Sequence, residues 1–159
     1  MTNTDATDLA DLRVVADYQF GKGTGDALFP PDSEIELSRS RSGRPRQVYV
    51  EGERVTSYGT DGRFTLGIAG GRQLVERLDE PVYRVHVGDE SIPFVSDGKN
   101  AFAKFVTDVS PDVRPGDEVV IVGPDSELLG VGRAELSADA MLDFETGMAV
   151  RVREGANDE

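Results

Sequence analysis

The sequence predicts an α+β unit over residues 1–80, a small β-barrel over residues 81–154 and a flexible tail at 155–159. Three observations predict it. Leu9, Leu12, Ala16 and Phe20 recur at helical spacing near the start. Between residues 34 and 68 apolar and polar residues alternate, interrupted by turn sequences, as in an antiparallel meander. From about residue 81 onward, short β-rich runs are separated by turn clusters with few helical stretches, the pattern of a closed or nearly closed barrel.

In "DATDLADLRVVADYQF", residues 5–20, Thr4 or Thr7 is placed to cap a helix and Gly21 to stop it. The link "FPPDS" leads into "EIELS", where Ile35 and Leu37 alternate with acids. Val48 and Val50 mark a second strand, "EGE" a turn, and Val55 a further extended run. Asp61-Gly62 turns the chain into a strand holding Phe64, Leu66 and Ile68. "GGRQLVERLDEP" reads as a short helix ended by Pro81. The barrel runs are "YRVHV", "AKFVTDV", "EVVIV", "LLGVGRA" and "MAVRVR", with short helical turns in "IPFVSDGK" and "SADAMLDF".

With 159 residues the chain can bury a real core, and with no cysteine it has neither disulfides nor thiolate chemistry. No basic-then-apolar leader opens it and no apolar run approaches a membrane span, so the expected setting is a reducing cytoplasm. Net charge is -13, from 17 basic and 30 acidic residues. Only Lys22, Lys99 and Lys104 are lysines, and the acids are scattered singly, as in a halophilic proteome. In that setting total charge says little about partners, and local arrangement decides; an acidic interaction protein is the alternative.

Four features compete as sites. "GKGTG" (residues 21–25) follows a helix instead of a strand and has no Ser or Thr after its lysine, so it fails the phosphate-loop pattern and reads as a glycine cap with a tight link into "DALFP". His86 stands alone in a strand run, without the partners a metal site or triad needs, and reads as a structural or surface histidine; no metal or cofactor is expected. Asp89-Glu90 and Asp117-Glu118 fall in turns and read as solvated or as turn-forming groups. "RSRSGRPR" concentrates Arg39, Arg41, Arg44 and Arg46 without an acid, so eight residues carry +4 while the other 151 sum to -17 (-13 minus 4). Guanidinium forks suit phosphate oxygens; the competing reading is a solvated loop pairing with Glu34, Glu36, Glu51 and Glu53. "SDGKNAFAKFV" sets Lys99 and Lys104 beside Phe102 and Phe105, with the phenylalanines expected mostly to pack and Gly98, Lys99 and Asn100 expected at the surface.

The order "GKNAFAKFV", "VRPGDEVVIV", "ELLGVGRAELSADAM" and "GMAVRVRE" resembles a PUA domain, the RNA-binding pseudobarrel of pseudouridine synthases and archaeosine transglycosylases. "LRVVADYQFGKGTGDALFP" and "RSGRPRQVYVEGERVTSYGTDGRFTLGIAGGRQLVERL" resemble the small domain that precedes PUA in archaeal tRNA-guanine transglycosylase. The resemblance implies RNA, above all the acceptor-stem end of tRNA, as partner. It points to Gly98, Lys99, Asn100 and Lys104, with Arg114, Arg151 and Arg153 beside them and the arginines 39–46 in the preceding domain. That family's catalytic barrel and cysteine-rich zinc site have no counterpart here, so a non-catalytic role is expected. The alternative is an interaction subunit of a tRNA-modifying enzyme or a ribosome-linked factor.

Overall fold

The computed structural model describes residues 6–79 and 83–158, and the chain divides into two compact units, residues 1–79 and 80–159. Thr4, the Thr7 side chain and Pro81 lie outside what it describes.

The first unit opens with α1 (Ala6–Phe20) and α2 (Thr24–Leu28). Four antiparallel strands follow in sheet order, β1 (Ile35–Arg39), β2 (Pro45–Val50), β3 (Glu53–Tyr58) and β4 (Phe64–Leu66), and then α3 (Ile68–Arg77). The helical stripe holds: Leu9, Leu12, Ala16 and Phe20 are buried, in a unit whose strands bury Leu37, Val48, Val55, Phe64 and Leu66. Gln19 extends the edge of the sheet, its amide donating to the Phe64 carbonyl at 2.8 Å and accepting from the Phe64 N–H at 2.7 Å.

Thr24 to Leu28 make a helical turn that runs into "DALFP", and one sequence expectation fails. Ile68 does not continue the strand but begins α3, since the Gly67 N–H bonds the Val55 carbonyl at 2.9 Å and turns the chain out of the sheet. A methyl group at Gly70 would strike the Val55 carbonyl, so only glycine lets α3 lie this close to β3.

The second unit comprises β5 (Arg84–Val87), α4 (Ile92–Ser96), β6 (Ala101–Phe102), β7 (Val106–Val109), β8 (Glu118–Val122), β9 (Leu128–Ala134), α5 (Ala138–Asp143) and β10 (Met148–Gly155). The sheet order is β6-β10-β9-β8-β5-β7, antiparallel except for the parallel β5–β8 pair. The two edge strands, β6 and β7, are consecutive in the chain. A 3-10 turn (Ala103–Phe105) joins them, so the barrel is closed by covalent chain and not by a ladder.

The run "AKFVTDV", read as one strand, is that 3-10 turn followed by β7, and β6, just ahead of it, brings the strands to six in place of five. Every residue of β8 is buried, and the core joins Val85, Val95, Ile121, Leu129, Met141 and Val150. Residues 155–158, expected as a flexible tail, are the end of β10 and a 3-10 turn (Ala156–Asp158).

Glu118 departs from its expected solvated turn: it opens β8 with a side chain only 5% exposed. Arg153 holds it with both arms of the guanidinium, one at 3.3 Å and one closer. A bulge in β10 between Val152 and Glu154 presents Arg153 to it. Losing one partner of such a pair strands a desolvated charge. Arg153→Ala is therefore expected to cost about 1–3 kcal/mol in chemical denaturation. Arg151→Ala, an exposed position with no ion pair among the described residues, should stay within about 0.5 kcal/mol of wild type.

Candidate nucleic-acid interface

"GKGTG" builds a corner, not a ligand cradle. Gly21 and Gly23 take positive φ of 117° and 93°, and the N–H of Gly25 donates to the Asp17 carboxylate at 2.7 Å. The anion received at this turn is thus the protein's own side chain. Thr24 is buried, and a side chain at Gly25 would strike the backbone of Arg13.

The arginine cluster separates into two kinds. Arg39 donates to Asp8 at 2.6 Å and to the Gly43 carbonyl at 3.0 Å. Arg44 lies over the Tyr58 ring, 4.9 Å from its centroid, and bonds the Gly59 carbonyl. Arg41 and Arg46 are exposed and make no hydrogen bond or ion pair among the described residues. Arg39 takes Asp8, and Glu51 accepts from the Glu34 N–H at 2.5 Å.

In the second unit, residues 98–105 form one wall of a groove of about 500 Å³, whose lining includes Phe94, Lys99, Phe102, Lys104, Phe105 and Glu145. Three devices set its shape. Gly98, at φ 90°, turns the chain out of α4, and its N–H bonds the Val95 carbonyl at 2.9 Å. Gly155 lies so close to this turn that a methyl group there would strike the Ser96 carbonyl and the Gly98 nitrogen. The Asn100 side-chain oxygen accepts from the Val152 N–H at 2.9 Å, bolting the turn to β10. Asn100, expected as a ligand contact, therefore also supports the groove wall.

Phe102 is 45% exposed and Phe94 56%, which corrects the expectation that Phe102 packs in the core. Lys104 sits with its ammonium 5.0 Å from the Phe105 ring centroid, and Lys99 is exposed. Apolar faces with two cations at the rim can stack unpaired bases and receive phosphates. Phe94 and Glu145 escaped the sequence reading. The five residues of α4 bury Val95 and Ser96 and leave Phe94 facing out, a helix too short for its pattern to show in the sequence.

The remaining candidates lie elsewhere on the barrel. Arg114 is exposed in the turn before β8, where its N–H bonds Asp117 at 2.9 Å. Arg151 stands opposite Arg133 in the β9–β10 register, and Arg153 is committed to Glu118. His86, half-buried on β5, faces Asp108 and Val122 in the neighbouring strands' register. Among the described residues, no cluster of three or more His, Cys, Asp or Glu side chains could hold a metal ion, and no helix is long and apolar enough to cross a membrane.

The bolting predicts a separable effect. Asn100→Ala removes the acceptor for a nearly buried N–H and should lower stability by about 1–2 kcal/mol in denaturant titrations. Lys99→Ala, beside it in sequence and exposed, should leave the unfolding midpoint unchanged.

Residues 10–81 match the patch-forming domain C2 of tRNA-guanine transglycosylase, and residues 83–156 match the PUA domain. The tRNA-guanine(15) transglycosylase of Methanothermobacter thermautotrophicus is 44% identical over 153 residues, which is 96% of this chain and 23% of that protein. That of Pyrococcus furiosus is 45% identical over 148 residues, 92% of this chain and 25% of the relative. The chain thus spans about a quarter of the length of these relatives. Among solved structures, a protein of Pyrococcus horikoshii OT3 shares the fold with a TM-score of 0.77 at 19% identity, covering 98% of this chain and 94% of that one. A conserved PUA domain protein from Thermoplasma acidophilum does so at 0.71 and 18%, covering 99% and 94%. The chain belongs to the C2–PUA family that it shares with the archaeal tRNA-guanine(15) transglycosylases.

Proposed function

We propose that this chain is a non-catalytic RNA-binding protein of the cytoplasm whose ligand is tRNA, held at the unpaired end of the acceptor stem. The observation that carries this reading is the groove of the second unit, where Phe94 and Phe102 are exposed beside Lys99 and Lys104. Two half-exposed phenylalanines at a groove mouth contribute little to folding, but they can stack bases that have left a helix. The curated relatives act on tRNA, which supports the same class of ligand.

A second reading, an interaction subunit of a tRNA-modifying enzyme, is favoured by α1. Val14 and Tyr18 stand one turn apart, 68% and 94% exposed, a docking edge for another protein.

The test is binding of an unmodified tRNA transcript, with and without its unpaired 3′ nucleotides, followed by fluorescence anisotropy at fixed salt. Trimming the end should weaken binding at least tenfold. Phe94→Ala and Phe102→Ala should each cost about 1–3 kcal/mol of binding and little stability. Lys99→Ala should flatten the salt dependence by about one phosphate contact. Equal affinity for trimmed and intact transcripts would sink the assignment to the acceptor end.

A further inference from the structure

We propose that the tip of the β1–β2 hairpin is a second RNA contact, in which Arg41 and Arg46 bind phosphodiester oxygens while Arg39 and Arg44 hold the hairpin rigid. The inference rests on RNA being the ligand and commits the contact to two residues of the first unit.

The hairpin end consumes its own polar groups. The Ser40 N–H bonds the Arg44 carbonyl at 2.8 Å, and the Gly43 N–H bonds the Ser40 carbonyl at 2.9 Å. The Arg44 N–H reaches the Ser40 hydroxyl at 3.2 Å, and the Ser40 and Ser42 hydroxyls lie 2.9 Å apart. Gly43 holds φ 87° with open space around it. Arg39 ties the turn to Asp8 and to the Gly43 carbonyl, and Arg44 ties it to Tyr58 and Gly59. Two of the four cations are thus spent on shape. Arg41 and Arg46 project from this braced platform with no hydrogen bond or ion pair among the described residues.

Their isolation extends through the sequence and along the strands. From Leu37 to Val50 the chain has four arginines and no acid, although it holds 30 acids in all. Glu34 and Glu51 lie at the far end of the same strand pair, beyond the Ile35–Val50 register. Glu36, the nearest acid along β1, stands three residues or about 10 Å before Arg39, and the Ile35–Val50 end about 13 Å, both beyond the screening length of about 8 Å at physiological ionic strength. Those acids do not neutralise the tip. A guanidinium on a preorganised hairpin binds phosphate bidentately with less ordering cost than one on a mobile loop.

The test measures affinity of the full chain for an unmodified tRNA transcript from 0.1 to 1 M KCl. Each lost phosphate contact flattens the slope of log affinity against log salt by about 0.7 to 0.9. R41A/R46A is expected to flatten it by about 1.4–1.8, and to bind about 25- to 60-fold more weakly at 0.1 M while converging on wild type near 1 M. R41K/R46K should keep most of the slope, and thermal unfolding of both variants should match wild type. An unchanged slope in R41A/R46A, with wild type binding normally, would overturn the hairpin contact and leave the groove untouched. Failure of wild type to bind the transcript overturns the RNA reading itself, and the hairpin contact with it, before any variant is compared.

Discussion

The second unit depends on how its barrel is closed. Two strands at opposite edges of one sheet are joined by three residues of chain, so the seam has no continuous ladder. The missing bonds are replaced locally: the Ala103 N–H takes the Gly147 carbonyl at 2.9 Å on one side, and the Phe105 carbonyl accepts from Gly88 at 3.1 Å on the other. Between these anchors the 3-10 turn exposes Lys104, and Phe102 just before it, because a tight turn cannot bury both faces. Edge strands invite further pairing, and here the seam is covered by its own side chains. The groove is therefore a consequence of closure. Asn100 and Gly155 fix its wall to β10, the strand that also carries Arg153 to the buried Glu118.

On the proposed reading, this arrangement lets a chain of net charge -13 hold a polyanion. Apolar stacking and shape do not fall off with salt, whereas counterion release does. The groove supplies the former, with two of the chain's three lysines lining it. Elsewhere the guanidinium groups divide between structure and solvent. Arg39, Arg44 and Arg153 serve carboxylates, carbonyls and an aromatic face, while Arg41, Arg46 and Arg151 do not. Counting cations would have missed this division, because an arginine engaged in the fold has little left to offer a ligand.

Periodicity made much of the architecture legible. The stripe Leu9–Phe20, the alternation in β1 and β2 and the apolar run of β8 were readable because burial in long elements leaves a repeating signal. What escaped is short or set at a distance. The five residues of α2 are little more than one turn, too short to repeat a pattern, and Ile68 looked like the end of an alternating strand until Gly67 and Gly70 admitted a helix there. The roles of Asn100 and Arg153 depend on partners 52 and 35 residues away, which spacing cannot reveal. Glu118 sat next to an acid in a turn-like sequence, yet it is buried because a bulge 35 residues later aims a guanidinium at it. At the groove, the lysines and Gly98 were visible as residue types, whereas the outward orientation of Phe94 and Phe102 was set by the register of a short helix and a two-residue strand.

The matching tRNA-guanine(15) transglycosylases are about four times longer than this chain. A binding domain on the same chain as a catalytic centre works at an effective concentration in the millimolar range for short linkers, so weak contacts suffice to hold a substrate in place. Where C2 and PUA domains act apart from a catalytic domain, that advantage is gone. Either the RNA contacts alone must be strong enough to form a complex at cellular concentrations, or a protein contact must restore proximity. On the proposed readings, the first alternative would draw on the groove and on Arg41 and Arg46 of the hairpin, the second on the exposed Val14 and Tyr18 of α1. They make different demands on salt. Contacts to phosphates weaken steeply as salt rises, whereas burial of an apolar helix edge does not. An acidic chain in concentrated salt therefore gains more from each apolar surface it can cover than from each added cation.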